Sequence, residues 1–161
     1  MENNMAMEYP MFCYQCEQTA GGKGCTKMGV CGKTPEIAAL QDLLIYQIKG
    51  ISCYAKEIVE KGENVDKSIV TFIENSLFTT LTNVNFDADF HVEILKESQR
   101  IKEKVRKQVG EIKNDTDHAT YNLSETKSEM LEDAKKAGIM YDQKLDPDIR
   151  SLRQTIIYGL K

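Results

Sequence analysis

The amino-acid sequence predicts an all-α protein. Lys, Glu, Ile and Asn are abundant, and the 161 residues include only three prolines, a mixture that favours helices. Apolar residues recur at three- and four-residue steps in several long stretches, which is the pattern of amphipathic helices with one buried face. A chain of this length suits one domain, or one and a fraction.

The first predicted helix begins with Thr34 as its N-cap and Pro35 at its first position, and Gly62 ends it. Its apolar seam follows a seven-residue repeat, as expected of a face that packs against other helices. The seam residues are Ile37, Leu40, Leu44, Ile48, Ile51, Ala55 and Ile58.

Two further helices are predicted at about 66–82 and 88–112. Their inward residues are expected to be Ile69, Val70, Ile73, Leu77 and Leu81 in the second helix and Ile94, Ile101, Val105, Val109 and Ile112 in the third. Short connections between three amphipathic helices predict antiparallel neighbours, and therefore a three-helix bundle.

The remainder of the chain is less regular. Residues 113–124 are polar and rich in turn formers, which indicates a linker or hinge. A short helix is predicted from Glu125 to Ala137, ended by Gly138. A last helix is predicted from an Asp146 N-cap to Lys161.

An internal repeat relates the first helix to the last. Residues 35–49 align with 147–161 at a constant offset of 112, with identities at the proline, the first isoleucine, the leucine, a later Ile-Tyr pair and the final lysine. Since the first copy opens a bundle, the second is expected to open another, of which the chain holds only the start. The predicted organisation is an N-terminal segment with a cysteine loop (1–33), a three-helix bundle with its linker (34–124), and a connector helix with an incomplete second bundle (125–161).

The last predicted helix carries an apolar face with no evident cover. Three outcomes are open: it folds back on the first bundle, pairs with another copy, or stays disordered. Burial by a partner or self-association is the expectation, because exposed apolar faces of this size tend to find contacts.

The cysteines point to a metal centre. Four of the five lie within nineteen residues, spaced C-x2-C-x8-C-x5-C at Cys13, Cys16, Cys25 and Cys31, with five glycines between or beside them. Thiolates select iron–sulfur clusters, zinc or Cu(I). Structural zinc sites usually contain two closely spaced C-x2–4-C pairs, called knuckles. Here only Cys13 and Cys16 form such a pair. Spacing therefore favours an iron–sulfur cluster over zinc.

A pair of disulfides is the third alternative. Residues 1–10 are polar and contain no apolar leader segment, so a cytoplasmic location with reduced thiols is expected, and clustered thiols there indicate metal binding or catalysis. Residues 1–10 themselves are expected to be frayed or an expression remnant.

The loop's other residues suit an anionic centre. Lys23, Lys27 and Lys33 supply positive charge, although each taken singly is typical of a solvated loop. Met11, Phe12, Tyr14 and Val30 are candidates to exclude water. Outside the loop, Cys53 is expected to be a small buried apolar residue, and His91 and His118 to be surface residues.

The cysteine stretch resembles the amino terminus of the hybrid cluster proteins, also called prismane proteins or hydroxylamine reductases. The resemblance is carried by Met11-Phe12-Cys13-Tyr14-Gln15-Cys16-Glu17-Gln18-Thr19-Ala20, Gly24-Cys25-Thr26, Gly29-Val30-Cys31-Gly32-Lys33, and the segments 39–46 and 49–51. It implies that Cys13, Cys16, Cys25 and Cys31 hold the family's proximal cluster. Their compact spacing looks like that of the [4Fe–4S] subgroup, with [2Fe–2S] or zinc as the alternative.

The resemblance also implies an oxidoreductase. Members of the family reduce hydroxylamine to ammonia or handle nitric oxide at a hybrid iron–sulfur–oxygen cluster, whose histidine, glutamate and cysteine motifs are absent from this sequence. This chain is then expected to be inactive alone, to receive electrons from a donor protein or reductase, and to work with the remaining domains of its parent. The rival hypothesis is a non-enzymatic helical module whose four loop cysteines bind a structural zinc ion.

Composition excludes some classes of partner. A net charge of −4 argues against a nucleic-acid partner, for which a basic patch is expected. The sequence has no run of eighteen apolar residues, so no membrane span is predicted.

Overall fold

The computed structural model describes residues 11–112, 116–139 and 144–161, and these ranges are helical with no strand. The all-α prediction is therefore confirmed. The helices are α1 (Pro35–Glu60), α2 (Lys67–Thr79), α3 (Ala88–Val109), the four-residue α4 (Asp117–Thr120), α5 (Lys127–Ala134) and α6 (Pro147–Leu160). Residues 1–10, predicted to be frayed, lie outside the described ranges.

Helix α1 is the central element, and α2, α3, α4 and α5 all pack against it. It starts as predicted, since the Thr34 hydroxyl accepts a hydrogen bond from the backbone N–H of Ile37 at 3.2 Å. The predicted seam is buried, apart from a half-buried Ala55. The first half of α1 is covered on almost every side, and this burial extends to Gln41 and Gln47.

The other long helices also begin at N-caps, of which Asp146 is the one predicted from the sequence. The side chains of Asp66, Asp87 and Asp146 each accept a backbone N–H in the first turn of the helix that follows. Thr126 and Glu129 form a reciprocal capping box at the start of α5. Helices α2, α3 and α5 end about three residues before their predicted limits, and Gly110, with φ +79°, follows α3.

Two apolar clusters form the core. The first joins α1, α3 and α5 through ten buried residues: Ala39, Leu40, Leu43, Leu44, Ile48, Val92, Leu95, Met130, Leu131 and Ala134. The second lies further along α1 and consists of Ile51, Tyr54, Ile58, Ile69, Val105 and Ala119. Neither cluster contains a cysteine of the predicted quartet.

The residues of α3 that form its buried face differ from those predicted. Of the five residues expected inside, only Val105 is buried, whereas the other four are half-buried. The line instead runs through His91, Val92, Leu95, Ser98, Lys102 and Val105. Three of these six are polar, so an apolar pattern places the seam incorrectly. The prediction that His91 is a surface residue is wrong, because its side chain is fully buried.

The predicted linker packs tightly where the structure describes it. The Tyr54 hydroxyl donates to the carbonyl oxygen of Ala119 at 3.3 Å, and the buried Lys102 ammonium donates to the carbonyl oxygen of Tyr121. Residues 116–121 are thereby fixed against α1 and α3; residues 113–115 lie outside the described ranges. The antiparallel bundle order and the domain boundaries remain predictions.

None of the helices in the described ranges is long and apolar enough to cross a membrane.

Candidate metal centre

The cysteine loop, residues 11–33, folds back on itself through one backbone pairing. The N–H of Cys13 donates to the carbonyl of Cys25 at 3.0 Å, and the N–H of Cys25 donates to the carbonyl of Cys13 at 2.9 Å. This bridge is the only β-type pairing in the part of the chain that the structure describes. It places the first and third cysteines of the predicted quartet side by side.

Glycine makes this return possible. Gly21 and Gly22 reverse the chain with φ of +60° and +67°, a region that favours glycine. Gly24, at φ +123°, lies against the Phe12 ring so closely that a Cβ atom there would collide with it. The close approach of Phe12 to the backbone of the loop thus requires a glycine immediately before Cys25.

The Cys25 sulfur is surrounded by hydrogen-bond donors. The backbone N–H of Ala20 donates to Sγ at 3.4 Å, and the Thr19 hydroxyl lies 3.6 Å away. The Ala20 N–H, together with the backbone N–H of Val30, lowers the pKa of the Cys25 thiol, even though the residue is buried. Donors of this kind stabilise a thiolate, the form of cysteine that binds metal.

The remaining three cysteines occupy different surroundings. Burial raises the pKa of the Cys13 thiol, against an opposing effect from Lys33. Cys16 lines an open cavity of about 640 Å³ between the loop and α6. Cys31 is half-buried, with its sulfur against Gly29. All five cysteines are free thiols.

The loop carries four thiols of the kind that bind iron–sulfur clusters, but the described structure does not bring them together. Among the described residues, no three His, Cys, Asp or Glu side chains are grouped closely enough to hold a metal ion. The chemistry of the loop nevertheless fits an iron–sulfur cluster, since four thiols share one short glycine-rich loop whose N–H groups point at sulfur. Convergence of all four sulfurs remains a prediction.

Of the three lysines expected to supply positive charge to the loop, only Lys33 is buried, and burial is not typical of the solvated loop residue that each of them resembles. Lys23 and Lys27 are exposed, but Lys33 is 2% exposed, and its ammonium donates to Gln41 Oε1 at 2.6 Å. Gln41 Nε2 in turn donates to the carbonyl of Asn85 at 3.1 Å and lies 3.3 Å from His91 Nε2.

His91 completes this network as a neutral ring. Its Nδ1 lies 2.6 Å from the carbonyl oxygen of Asp87, so Nδ1 carries the proton and Nε2 accepts from Gln41. Burial lowers the pKa of His91, and Lys33 acts in the same direction. Within the described part of the chain, this network therefore gives the Lys33 ammonium a neutral hydrogen-bond partner, Gln41.

A second lysine approaches the loop from the end of α6. With its side-chain amide flipped, the orientation that satisfies both of its polar groups, Gln15 donates to the carbonyl of Thr80 at 3.3 Å and accepts from the Lys161 ammonium at 2.8 Å. Burial lowers the pKa of Lys161 to about 8, and Lys33 contributes in the same direction. Burial also raises the pKa of Asp42 to about 6, although Lys161, Lys33 and Lys49 oppose this rise.

Water exclusion around the loop is only partly as expected. Met11 is buried with Cys25 and Ala38 in a small cluster, and Phe12 is half-buried. Tyr14 and Val30 are more than half exposed, so the prediction that they exclude water is wrong for the structure as it stands.

Cys53 and His118 lie apart from the loop's network. Cys53 is half-buried instead of buried as predicted, and it packs at the edge of the second core cluster, 3.5 Å from the Thr116 hydroxyl. His118 is half-buried rather than on the surface, with its ring centroid 4.3 Å from that of Tyr46.

Fold and site together define a helical domain that carries a thiolate-rich loop at its N-terminal side. The chain belongs to the Prismane/CO dehydrogenase family, with residues 11–161 matched. This finding confirms the family resemblance.

Curated relatives named hydroxylamine reductase are similar along nearly the whole chain. The protein of Syntrophobacter fumaroxidans is 44% identical over 155 residues, which cover 94% of this chain and 28% of the relative. That of Desulfovibrio desulfuricans is 43% identical, over 96% of this chain and 28% of the relative. The protein of Thermosipho melanesiensis is 41% identical, over 94% of this chain and 29% of the relative. The chain thus spans less than a third of the length of these relatives.

Proposed function

We propose that this chain is the amino-terminal helical part of a hydroxylamine reductase, and that Cys13, Cys16, Cys25 and Cys31 hold its proximal [4Fe–4S] cluster. The observation that carries the proposal is the backbone pairing of Cys13 with Cys25, with N–H donors directed at the Cys25 sulfur. The match to the family along residues 11–161 supports it. A cytoplasmic location, where thiols stay reduced, belongs to the same proposal.

The chain's own residues prepare the site in three ways. The Cys13–Cys25 bridge sets the positions of two ligands, while the glycine turn allows the chain to reverse between Cys16 and Cys25. Ala20 and Thr19 favour the thiolate form of Cys25. Met11 and Phe12 cover the loop on its inner side.

A bound cluster supplies one-electron chemistry, and four thiolate ligands leave no open position for substrate. The proposed task is therefore electron relay, from a donor protein or reductase to a hybrid iron–sulfur–oxygen cluster in the remaining domains. There hydroxylamine would be reduced to ammonia, or nitric oxide handled. This chain alone is expected not to reduce hydroxylamine.

Metal analysis of the full chain tests the proposal. After anaerobic purification, the protein is expected to be brown and to contain iron and acid-labile sulfide in about equal amounts, as a cubane requires. Cys16→Ser and Cys31→Ser are expected to lose most of this iron. Cys53→Ser is the matched control, since it removes a thiol outside the loop, and it is expected to retain the iron.

Two results would contradict the proposal. Colourless protein with one zinc per chain would favour a structural zinc site with four cysteine ligands instead. Iron that survives Cys16→Ser and Cys31→Ser but is lost in Cys53→Ser would place the cluster elsewhere.

A further inference from the structure

Among the residues that the structure describes, the buried ammonium of Lys33 has no anionic partner at hydrogen-bonding distance. Its Nζ donates to the neutral Gln41 Oε1 and lies 5.9 Å from the centre of the Phe86 ring. Within the described residues, no carboxylate lies close enough to form an ion pair with it. An isolated charge in a protein interior is costly unless an opposite charge or hydrogen bonds offset the loss of water.

The surroundings of Lys33 are rich in positive charge. The carboxyl group of Asp42 lies in the electrostatic field of Lys33, and it also interacts with the charges of Lys49 and Lys161. The positive charges of Lys33 and Lys161 repel each other. Among the described residues, three lysines thus act on one carboxyl here, and the charge of Lys33 also acts on the thiols of Cys13 and Cys25.

The structure also fixes Lys33 firmly. Its carbonyl oxygen accepts from the N–H of Gly29 at 2.8 Å, which ties it to the segment between Cys25 and Cys31. Gln41 cannot turn away from the ammonium without breaking its bond to the Asn85 carbonyl, and its contact with His91 favours the same orientation. A charge held by its backbone and its head group acts from a constant position.

We propose that Lys33 is a positioning residue that supplies the buried counter-charge for the cluster held by the cysteine loop and thereby raises the cluster's reduction potential. The inference rests on the proposed function. Reduction adds one electron to the cluster without forming or breaking a bond, so its negative charge grows by one unit. A fixed ammonium in a poorly screened interior stabilises that extra charge and favours the reduced form.

Potentiometric titration of the cluster-loaded full chain with dithionite tests this inference. Lys33→Met removes the charge while keeping the length of the side chain, and Lys27→Met is the matched control because it makes the same change at an exposed position of the same loop, between Cys25 and Cys31. Lys33→Met is expected to shift the equilibrium at least about tenfold toward the oxidised cluster, which is about 59 mV for one electron. Lys27→Met is expected to shift it much less, because water and salt screen an exposed charge.

Two further variants distinguish the loss of the charge from a loss of folding. Lys33→Gln also removes the charge and retains a donor for Gln41, whereas Lys33→Arg keeps the charge and is expected to keep the potential near the wild-type value. If neither neutral variant retains iron while Lys33→Arg does, the need for a buried cation is supported. If Lys33→Arg also fails to load, Lys33 is needed for folding alone, and the inference is wrong.

The outcomes separate the two proposals. Wild-type protein without iron would reject the proposed function itself. A loaded Lys33→Met or Lys33→Gln protein whose potential equals that of Lys27→Met would leave the cluster in place and reject only the assignment of Lys33.

Discussion

Gly50 shows how one residue position fixes the path of a distant segment. It lies inside α1, where glycine normally weakens a helix. Its bare Cα allows the carbonyl group of His118 to rest against the helix, and a Cβ atom would overlap that carbonyl and crowd the Lys102 side chain. The same segment is held by Tyr54 and Lys102, so it has little freedom to retreat.

Gly50→Ala is therefore expected to destabilise the protein, even though alanine is the better helix former. Forcing a methyl group into such a packed contact typically costs about 1–3 kcal/mol. Urea denaturation followed by circular dichroism measures the change. Gly159→Ala is the control, because nothing lies within 4 Å of its Cβ position in α6, and it is expected to be neutral or stabilising. Equal effects of the two variants would show that the His118 contact does not constrain Gly50.

Single residues also mark where sequence reasoning succeeds and where it fails. The cysteine quartet and the cap at Thr34 could be found because their signals lie within a few neighbouring positions. The burial of Lys33 and of His91 could not be predicted, because it depends on contacts between the loop, α1 and the start of α3. A lysine in a loop and a histidine between Phe90 and Val92 do not indicate such partners by their neighbours in the sequence.

At the scale of elements, the internal repeat relates two helices with opposite surroundings. In α1, the seam residues Leu40, Leu44 and Ile48 are at most 4% exposed. The equivalent positions in α6 are Leu152, Ile156 and Leu160, and they are 62–64% exposed. The repeated sequence thus keeps an apolar seam in both copies, while only the first copy is covered by other helices in the described structure.

This exposed seam predicts self-association of the chain when it is studied by itself. Sedimentation velocity of the wild-type chain is expected to show a sedimentation coefficient that rises with concentration, since uncovered apolar faces of this size bind one another. Leu152→Lys combined with Ile156→Lys is expected to abolish the rise. Ser151→Lys, which adds charge at an exposed position toward the cysteine loop, serves as control. A wild-type chain that stays monomeric at all concentrations would contradict the prediction.

Element boundaries follow the same division between local and distant causes. Helix starts could be predicted because each cap is a local hydrogen bond. The sequence predicts the ends of α2 and α3 a few residues too far along the chain, because the apolar periodicity continues past the last helical residue. Leu81 and Ile112, which follow α2 and α3, are still half-buried. Residues 116–121 pack against Gly50, Tyr54 and Lys102, which are distant in sequence. The composition of the segment does not show these contacts, and it therefore indicates a hinge.

At the scale of the whole molecule, the helical core and the cysteine loop are separate units of packing. The two main clusters are built from buried residues of the helices alone. The loop adds a third, small cluster in which Met11 and Cys25 meet Ala38 of α1. Apart from this cluster, the described loop is tied to the helices by polar contacts, chiefly Lys33 with Gln41 and Gln15 with Thr80 and Lys161.

This separation predicts that removing the cluster leaves the helices folded. Chelation of iron from the loaded chain is expected to leave helical ellipticity in the far ultraviolet nearly unchanged, because a chain of this size buries enough apolar surface to keep its core without metal. Hydrogen exchange is expected to quicken in residues 12–33 while the amides of α1 and α3 stay protected. Cys53→Ser protein, treated identically, controls for chelator effects on a thiol outside the loop. A cooperative loss of helicity on chelation would instead make the cluster part of the core, since its binding energy would then be needed to fold α1 and its neighbours.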